Sequence, residues 1–234
     1  MVPDSFDVLM DALDALPPGD AVFDLDGTLI AGDIGETALT LVAARGPLPP
    51  VARSVLGEGS VEAIFRRYEA LDPVAQCVVA VQALAGLTED EVLALVDRAF
   101  AEGHVAPRPE VCALAHAVAR RHRVWLLTGS AELLGVGCAR TLGLLPGGVN
   151  AHPGSGARGG VIGVRAAMED GRGTERILEP VSCAEGKVAT CQIHFRERPV
   201  FAIGDSPWDR FVLAHAHVGR TTGRIAGQGF PAFP

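Results

Sequence analysis

The sequence predicts an α/β protein: a doubly wound, Rossmann-like parallel sheet with a helical cap inserted after the first strand. Short apolar runs that end in small polar or acidic residues alternate with amphipathic helices in residues 1–32 and 104–234. Residues 33–103, in contrast, show helical periodicity and no clear strand. We therefore expect a catalytic core domain formed by residues 1–32 and 104–234, and a helical cap domain formed by residues 33–103.

The core elements are expected in a regular order. An acidic amphipathic helix within residues 1–16 should dock onto the core, and the first strand should cover residues 20–25. After the insert, helices are expected at 107–121, 132–142 and 185–195, and strands at 123–127 and 200–203. Residues 159–164 and 174–178 should be short extended pieces separated by glycine turns. The tail from Thr221 shows no interpretable pattern.

Four cap helices are expected at residues 36–44, 61–71, 74–85 and 89–101. Glycine and proline residues separate them, as in the break at 46–50. Thr88 and Glu91 have the spacing of a capping box, which predicts that the last helix begins directly after Thr88.

Composition limits the possible partners. The 234 residues are 48% hydrophobic and 21% charged, as in globular proteins, and the net charge is −8. This acidity argues against nucleic-acid or anionic-membrane binding, and no apolar run is as long as a membrane span. The five cysteines show no Cys-x-x-Cys spacing, so we expect reduced thiols. A cytoplasmic protein is predicted, and its oligomeric state is left open.

The chemistry is expected to centre on the end of the first strand, where Asp24 and Asp26 precede Gly27 and Thr28. The carboxyl ends of parallel strands open into the ligand crevice, which would place both carboxylates at the reactive edge. Two like charges so close are costly, and a cation usually compensates them. A solvated acidic turn would be the alternative for an isolated Asp-x-Asp.

Two later strands end in the same way. Residues 125–127 lead into Thr128-Gly129-Ser130, and residues 201–203 lead into Gly204-Asp205-Ser206-Pro207-Trp208-Asp209. Each is common as a turn or a helix cap, but their order favours a shared site. Between them lies Lys187, the sole lysine among 20 basic residues. This position is a candidate for a role that needs a compact ammonium group, and chance is the alternative for the residue taken alone.

The set Asp24-Leu25-Asp26-Gly27-Thr28, Thr128-Gly129, Lys187 and 204–209 resembles the four motifs of the haloacid dehalogenase-like superfamily, which consists mostly of phosphohydrolases. The cap between the first two motifs resembles that of the phosphoserine-phosphatase-like branch. This chain departs from that branch in two places. It has Thr128-Gly129-Ser130 where serine and paired glycines are usual, and Trp208 where an asparagine is usual.

The resemblance implies a role for each motif. Asp24 would be the nucleophile that forms an aspartyl-phosphate, and Asp26 would be the acid–base partner. Mg²⁺ would be bound by the side chains of Asp24 and Asp205 and by the backbone carbonyl of Asp26, with Asp209 supporting the metal site.

The resemblance also implies how the phosphoryl group is held. The Thr128 hydroxyl and the Gly129 amide would bind its oxygens at a helix start, and Lys187 would neutralise the remaining charge. Asp33 and Glu36 after the first motif, and Arg53 and Arg66 in the cap, are candidate specificity residues. An acidic group with an arginine would suit a zwitterionic substrate, although solvated helix faces are the alternative for all four.

The sequence thus predicts a Mg²⁺-dependent phosphatase that hydrolyses a small-molecule phosphomonoester, including phosphoserine-like or other amino-alcohol phosphates. A phosphotransferase or phosphomutase on the same scaffold is the alternative. A carbon–halogen hydrolase would need the nucleophile but neither Asp26 nor the metal, so it is disfavoured. A non-catalytic binding protein is the alternative outside the enzymes, because fold alone does not determine function.

Overall fold

The computed structural model describes residues 5–145, 159–223, 225 and 228–233. The strands are β1 (Asp20–Phe23), β2 (Ile30–Ala31), β3 (Ala106–Pro107), β4 (Arg123–Ala131), β5 (Gly159–Glu169), β6 (Arg172–Leu178), β7 (Phe201–Gly204) and β8 (Val218–Thr221). The helices are α1 (Phe6–Asp14), α2 (Ile34–Ala43), α3 (Pro50–Leu56), α4 (Val61–Glu69), α5 (Pro73–Gln82), α6 (Glu89–Ala101), α7 (Pro109–Val118), α8 (Glu132–Thr141), α9 (Gly186–His194) and α10 (Arg210–His215).

The main sheet has six described strands in the order β6-β5-β4-β1-β7-β8. Neighbours from β5 to β8 pair in parallel, which confirms the predicted parallel core. The exception is β6, which pairs with β5 antiparallel at one edge. The two extended pieces predicted at 159–164 and 174–178 are therefore the arms of one longer hairpin.

Side-chain alternation along the strands divides the apolar interior between the two faces of the sheet. Phe23, Leu126 and Phe201 lie in one buried cluster, together with residues of α1, α7 and α8. Their chain neighbours Val22, Trp125 and Ala202 lie in a second cluster, together with residues of α9 and α10. Successive residues of a strand point to opposite faces, so helices cover both sides of the sheet. The predicted doubly wound arrangement is confirmed.

The helices of residues 33–103 contribute to two apolar clusters. Leu39, Leu56 and Tyr68 belong to a cluster formed by residues of α2 to α5 and the α2–α3 loop. Val92 and Leu95 of α6 belong to the main cluster instead, and α6 packs against α8. The domain boundaries at 33 and 103 stay a prediction.

Several elements differ from expectation. Helix α3 begins with Pro50, within the stretch predicted as a break. Proline is compatible with the first turn of a helix, because backbone N–H groups there have no hydrogen-bond partner within the helix and a missing N–H costs nothing. Strand β5 runs on to Glu169, and the hairpin turns at Asp170 and Gly171, both with positive φ. The short β2–β3 pair, α10 and β8 were not predicted.

Both outer strands of the sheet pair with irregular segments. Beside β6, the Gly86 N–H donates to Gly173 O at 2.8 Å, and the Gly173 N–H donates to Leu87 O at 3.0 Å. Beside β8, the Thr221 N–H donates to Pro231 O at 3.1 Å, and the Phe233 N–H donates to Thr221 O at 2.7 Å. The backbone groups at these positions on the sheet edges are therefore satisfied within the chain.

Two expectations about the whole chain can be compared with the structure. All five cysteines are free thiols, as predicted. Across the described parts of the chain, every helix is too short or too polar to cross a bilayer.

Candidate active site

The carboxyl ends of β1 and β7 bring Asp24 and Asp205 together. Each residue directly follows its strand, and the Asp24 N–H continues the pairing by donating to Ile203 O at 2.9 Å. Both side chains are buried, with exposed fractions of 6% for Asp24 and 7% for Asp205. The predicted meeting of the first and fourth motifs is therefore present in the structure.

The turn after Asp24 needs glycine at position 27. Gly27 has a φ of +73°, and a Cβ there would lie 2.5 Å from the Asp205 Oδ2 atom. The Arg108 guanidinium donates to Gly27 O at 2.6 Å, and the Thr28 hydroxyl donates back to Asp24 Oδ2 at 2.9 Å. The turn thus lets Asp205 approach closely while Thr28 holds one oxygen of Asp24.

Lys187 connects the third motif to the other two. It lies in the first turn of α9, and its Nζ donates to Asp24 Oδ1 at 2.7 Å and to Asp209 Oδ1 at 2.6 Å. The side chain is 4% exposed. Burial alone would lower the pKa of Lys187, but Asp209 and Asp24 outweigh burial and raise it. The ammonium group is therefore charged at neutral pH.

Asp209 is held by its own loop. Its Oδ2 accepts from the Ser206 N–H at 3.0 Å and from the Ser206 hydroxyl at 2.8 Å, and the residue is 1% exposed. A Cβ at Gly204 would lie 2.5 Å from the Asp209 carboxyl carbon, so the loop closes tightly over the end of β7. This arrangement fixes Asp209 where it can bind Lys187.

Asp24, Asp205 and Asp209 could hold a metal ion, since carboxylate oxygens of the three lie within 4.8 Å of one another. Burial, followed by the charge of Asp209, raises the pKa of Asp24 well above its usual range. When all three are ionised, Lys187 offsets one charge, and two negative charges remain in a buried cluster. An all-oxygen donor set with this excess charge fits a hard divalent cation.

The Asp26 carboxylate has hydrogen-bond partners different from those of Asp24. Its Oδ1 accepts from the Ile34 N–H at 2.7 Å, and its Oδ2 accepts from the Ser130 hydroxyl at 2.8 Å and the Thr128 hydroxyl at 3.1 Å. Burial, followed by the nearby charge of Asp33, raises the pKa of Asp26 to about 7. The second motif therefore positions this carboxyl group.

The prediction that Thr128 and Gly129 lie at a helix start is wrong. Strand β4 continues through a shift in register to Ala131, and α8 begins only at Glu132. Thr128 is fully buried and donates to Asp26, whereas Gly129 and Ser130 line the cleft in front of the carboxylates.

The cleft has a volume of about 490 Å³ and contains every motif aspartate. Asp33 and Glu36, two of the predicted specificity residues, line it. Arg53 does not: it lines a separate cavity and lies 3.9 Å from Glu58. Arg66 is exposed on α4 and is also outside the cleft lining. The structure therefore does not bring the two predicted arginines to the site.

Sequence reasoning missed several contributors to the site. Thr28, Ser130 and Ser206 bind the motif aspartates through their hydroxyl groups, although each stands inside a motif that was recognised. Gln76 and Cys77 of α5 also line the cleft. No sequence signal identifies these two, because the face that a helix turns to a cleft depends on packing.

A model of haloacid dehalogenase-like hydrolases matches residues 21–214, a range that includes all the motif residues described above. The chain belongs to the haloacid dehalogenase-like hydrolase family. Hydrolases of this family generally use a divalent metal, which agrees with the carboxylate cluster of Asp24, Asp205 and Asp209.

Solved structures share the fold of this haloacid dehalogenase-like chain. A protein of unknown function from Anaerococcus prevotii has a TM-score of 0.66 at 16% identity, covering 88% of this chain and 79% of that one. Another from Bordetella pertussis has a TM-score of 0.63 at 19% identity, covering 94% and 99%. A substrate-bound phosphoserine phosphatase has a TM-score of 0.56 at 14% identity, covering 93% and 92%. No curated protein matches the chain by sequence.

Proposed function

We propose that this protein is a Mg²⁺-dependent phosphatase that hydrolyses a small-molecule phosphomonoester through an aspartyl-phosphate. One observation carries the proposal: Lys187 bridges Asp24 and Asp209 beside Asp205, at the carboxyl end of the sheet. A buried carboxylate paired with an ammonium group can accept a phosphoryl group while the local charge stays compensated. The fold shared with a phosphoserine phosphatase supports the same reaction class.

In the first step, an Asp24 oxygen forms a bond to phosphorus and the bond to the ester oxygen breaks. Asp26 donates a proton to the departing alcohol oxygen. In the second step, Asp26 takes a proton from water, whose oxygen bonds to phosphorus as the bond to Asp24 breaks. Inorganic phosphate leaves, and both carboxyl groups return to their starting state. Thr128 and Ser130 hold Asp26 in place for both proton transfers.

Asp24 and Asp205, with the Asp26 carbonyl and support from Asp209, would hold Mg²⁺. The bound ion would neutralise charge on the phosphoryl oxygens and orient the ester against Asp24. Lys187 contributes a second positive charge, and Asp209 keeps its ammonium group at Asp24. Gly129, which lines the cleft, would present its backbone amide to a phosphoryl oxygen. Thr128, buried behind it, would position Asp26.

We further propose that residues 33–103 act as a cap over this site. Tyr68, Gln76 and Cys77 come from this segment and line the same cleft as the motif aspartates. A cleft wall formed by cap helices can exclude water during phosphoryl transfer and select the alcohol half of the ester.

The test is phosphate release from a panel of small phosphate esters with Mg²⁺. Asp24→Asn should lower kcat by at least about a thousandfold, because the amide cannot accept the phosphoryl group. Chelation of the metal should abolish turnover in the unmodified enzyme. Asp97→Asn, an exposed change on α6, is the matched control and should retain activity. Turnover that survives in Asp24→Asn or in chelator would contradict the mechanism. Phosphorylation of an added alcohol, in place of phosphate release, would identify a phosphotransferase.

A further inference from the structure

We infer that the alcohol half of the substrate carries an ammonium group and no carboxylate, and that Asp33, Glu36 and Tyr68 form its binding wall. This inference rests on the proposed phosphatase function and narrows its substrate class. It replaces the zwitterionic substrate expected from the sequence, since Arg53 and Arg66 lie outside the cleft lining.

The charge of the cleft favours a cation. The described side chains that line it include one cation, Lys187, and six carboxylic acids: Asp24, Asp26, Asp33, Glu36, Asp205 and Asp209. The Lys187 ammonium is already bound to Asp24 and Asp209. Negative charge therefore remains even when a divalent metal is bound, and a second anionic group on the substrate would be repelled.

Asp33 and Glu36 place part of this charge beyond the motif carboxylates. Asp33 is the N-cap of α2, and its Oδ1 accepts from the Glu36 N–H at 2.8 Å. A helix N-terminus on its own would favour an anion. Here Asp33 and Glu36 occupy the N-cap and the first turn, and they reverse that preference.

Tyr68 completes the wall from α4. The residue is 5% exposed, its ring centroid lies 5.6 Å from that of Phe65, and it lines the cleft. Asp33 and Glu36 line the same cleft. Burial, followed by the charges of these two carboxylates, raises the pKa of Tyr68, so its hydroxyl stays protonated at neutral pH. An aromatic side chain beside carboxylates suits an ammonium group, because ring and charge attract a cation together.

The experiment compares four esters that differ in the charge of the alcohol: 2-aminoethyl phosphate, ethyl phosphate, carboxymethyl phosphate and O-phosphoserine. The kcat/KM for 2-aminoethyl phosphate should be about tenfold higher than the kcat/KM for ethyl phosphate. It should be about a hundredfold higher than the kcat/KM for carboxymethyl phosphate. The kcat/KM for O-phosphoserine should be lower than that for 2-aminoethyl phosphate, because the carboxylates of the cleft repel the carboxylate of O-phosphoserine.

Two conservative variants test whether the wall causes the preference. Asp33→Asn keeps a good N-cap residue and Glu36→Gln keeps the side-chain shape, and each removes one charge. Either change should raise KM for 2-aminoethyl phosphate and lower the aminoethyl-to-ethyl ratio by about fivefold. Glu69→Gln, an exposed change at the end of α4, is the matched control and should leave the ratio unchanged.

The outcomes separate the two proposals. Equal kcat/KM for the amino, neutral and carboxylate esters, or a preference for carboxymethyl phosphate, would overturn this inference and leave the phosphatase standing. An aminoethyl preference that is unchanged in both variants would overturn the assigned wall. Phosphate release from none of the four esters would overturn the proposed function and this inference with it.

Discussion

Lys187 shows how strongly a single buried charge depends on its partners. With 4% of its surface exposed, its ammonium group has little access to water, and two carboxylates 2.6 and 2.7 Å away replace the lost hydration. Removing either side of such an arrangement leaves an uncompensated buried charge, which costs more than the pair contributes.

We therefore expect Lys187→Met to lower the free energy of unfolding by about 3–5 kcal/mol at neutral pH, measured by urea unfolding without added metal. Adding Asp209→Asn should recover part of the loss, because one orphaned carboxylate is removed.

Lys187→Arg should lower kcat by about a hundredfold or more, because a planar fork cannot replace a point charge between two carboxylates. Near-normal activity of Lys187→Arg would show that the compact ammonium group is not required.

The sequence predicted the residues that meet at the sheet edge better than those on the helices. Asp24 and Asp205 follow apolar strands, and parallel strands end at one edge, so their proximity follows from topology. Arg53 and Glu36 both lie on short amphipathic helices, and periodicity does not determine which of them faces the cleft. Thr128 was recognised, but its contact with Asp26 depends on the irregular end of β4.

At the scale of elements, the turn between β1 and β2 determines the geometry of the carboxylates. Gly27 combines a left-handed backbone with a close approach of Asp205, and these two requirements have separate costs. Gly103, after α6, has the same φ of +73°, but no described heavy atom lies within 4 Å of where its Cβ would be. The chain therefore provides a control for backbone strain alone.

Gly103→Ala should destabilise the protein by about 1 kcal/mol, through backbone strain only, and leave activity intact. Gly27→Ala should carry the same strain and also displace the Asp205 carboxylate, so we expect a larger loss of stability and a weaker apparent affinity for Mg²⁺. Thermal unfolding and metal titration of phosphatase activity measure the two effects. Equal behaviour of the two variants would mean that the approach of Asp205 does not constrain position 27.

Elements with strong local signals were predicted well. Helix α6 covers the predicted 89–101, because the capping box of Thr88 and Glu91 fixes its start. The hairpin of β5 and β6 was seen only as two fragments, although Asp170-Gly171 is a typical turn sequence. Strand β8 has only four residues, too few for a periodic pattern, and tertiary pairing with β7 stabilises it.

At the scale of the whole molecule, α1 is joined to the sheet through His122. Leu9 and Leu13 of α1 are fully buried in the main cluster. The His122 Nδ1 accepts from the Gly19 N–H at 3.3 Å, and its Nε2 lies 3.3 Å from Leu13 O, which assigns the neutral tautomer with the proton on Nε2. The expectation that the first residues form a docking helix is confirmed for α1; residues 1–4 lie outside the described chain.

Burial lowers the pKa of His122 below its ordinary value. Its stabilising contribution is therefore complete above the unfolded-state pKa of about 6.5 and is lost as pH falls through the folded-state pKa. The free energy of unfolding should decrease as the pH is lowered from about 7.5 to about 5.5. We expect this decrease to be smaller in His122→Gln than in the unmodified protein. Urea unfolding at both values measures this difference, and the same decrease in both proteins would exclude His122 as the cause.

The pairing at the two outer strands has a consequence for behaviour at high concentration. An open strand edge can recruit the same edge of another molecule and start aggregation. Here residues 86–87 occupy part of the outer side of β6, and residues 231–233 occupy part of β8. Intermolecular strand addition at these positions would first have to displace a segment of the chain itself, so these segments oppose edge-to-edge pairing between molecules as well as completing the sheet.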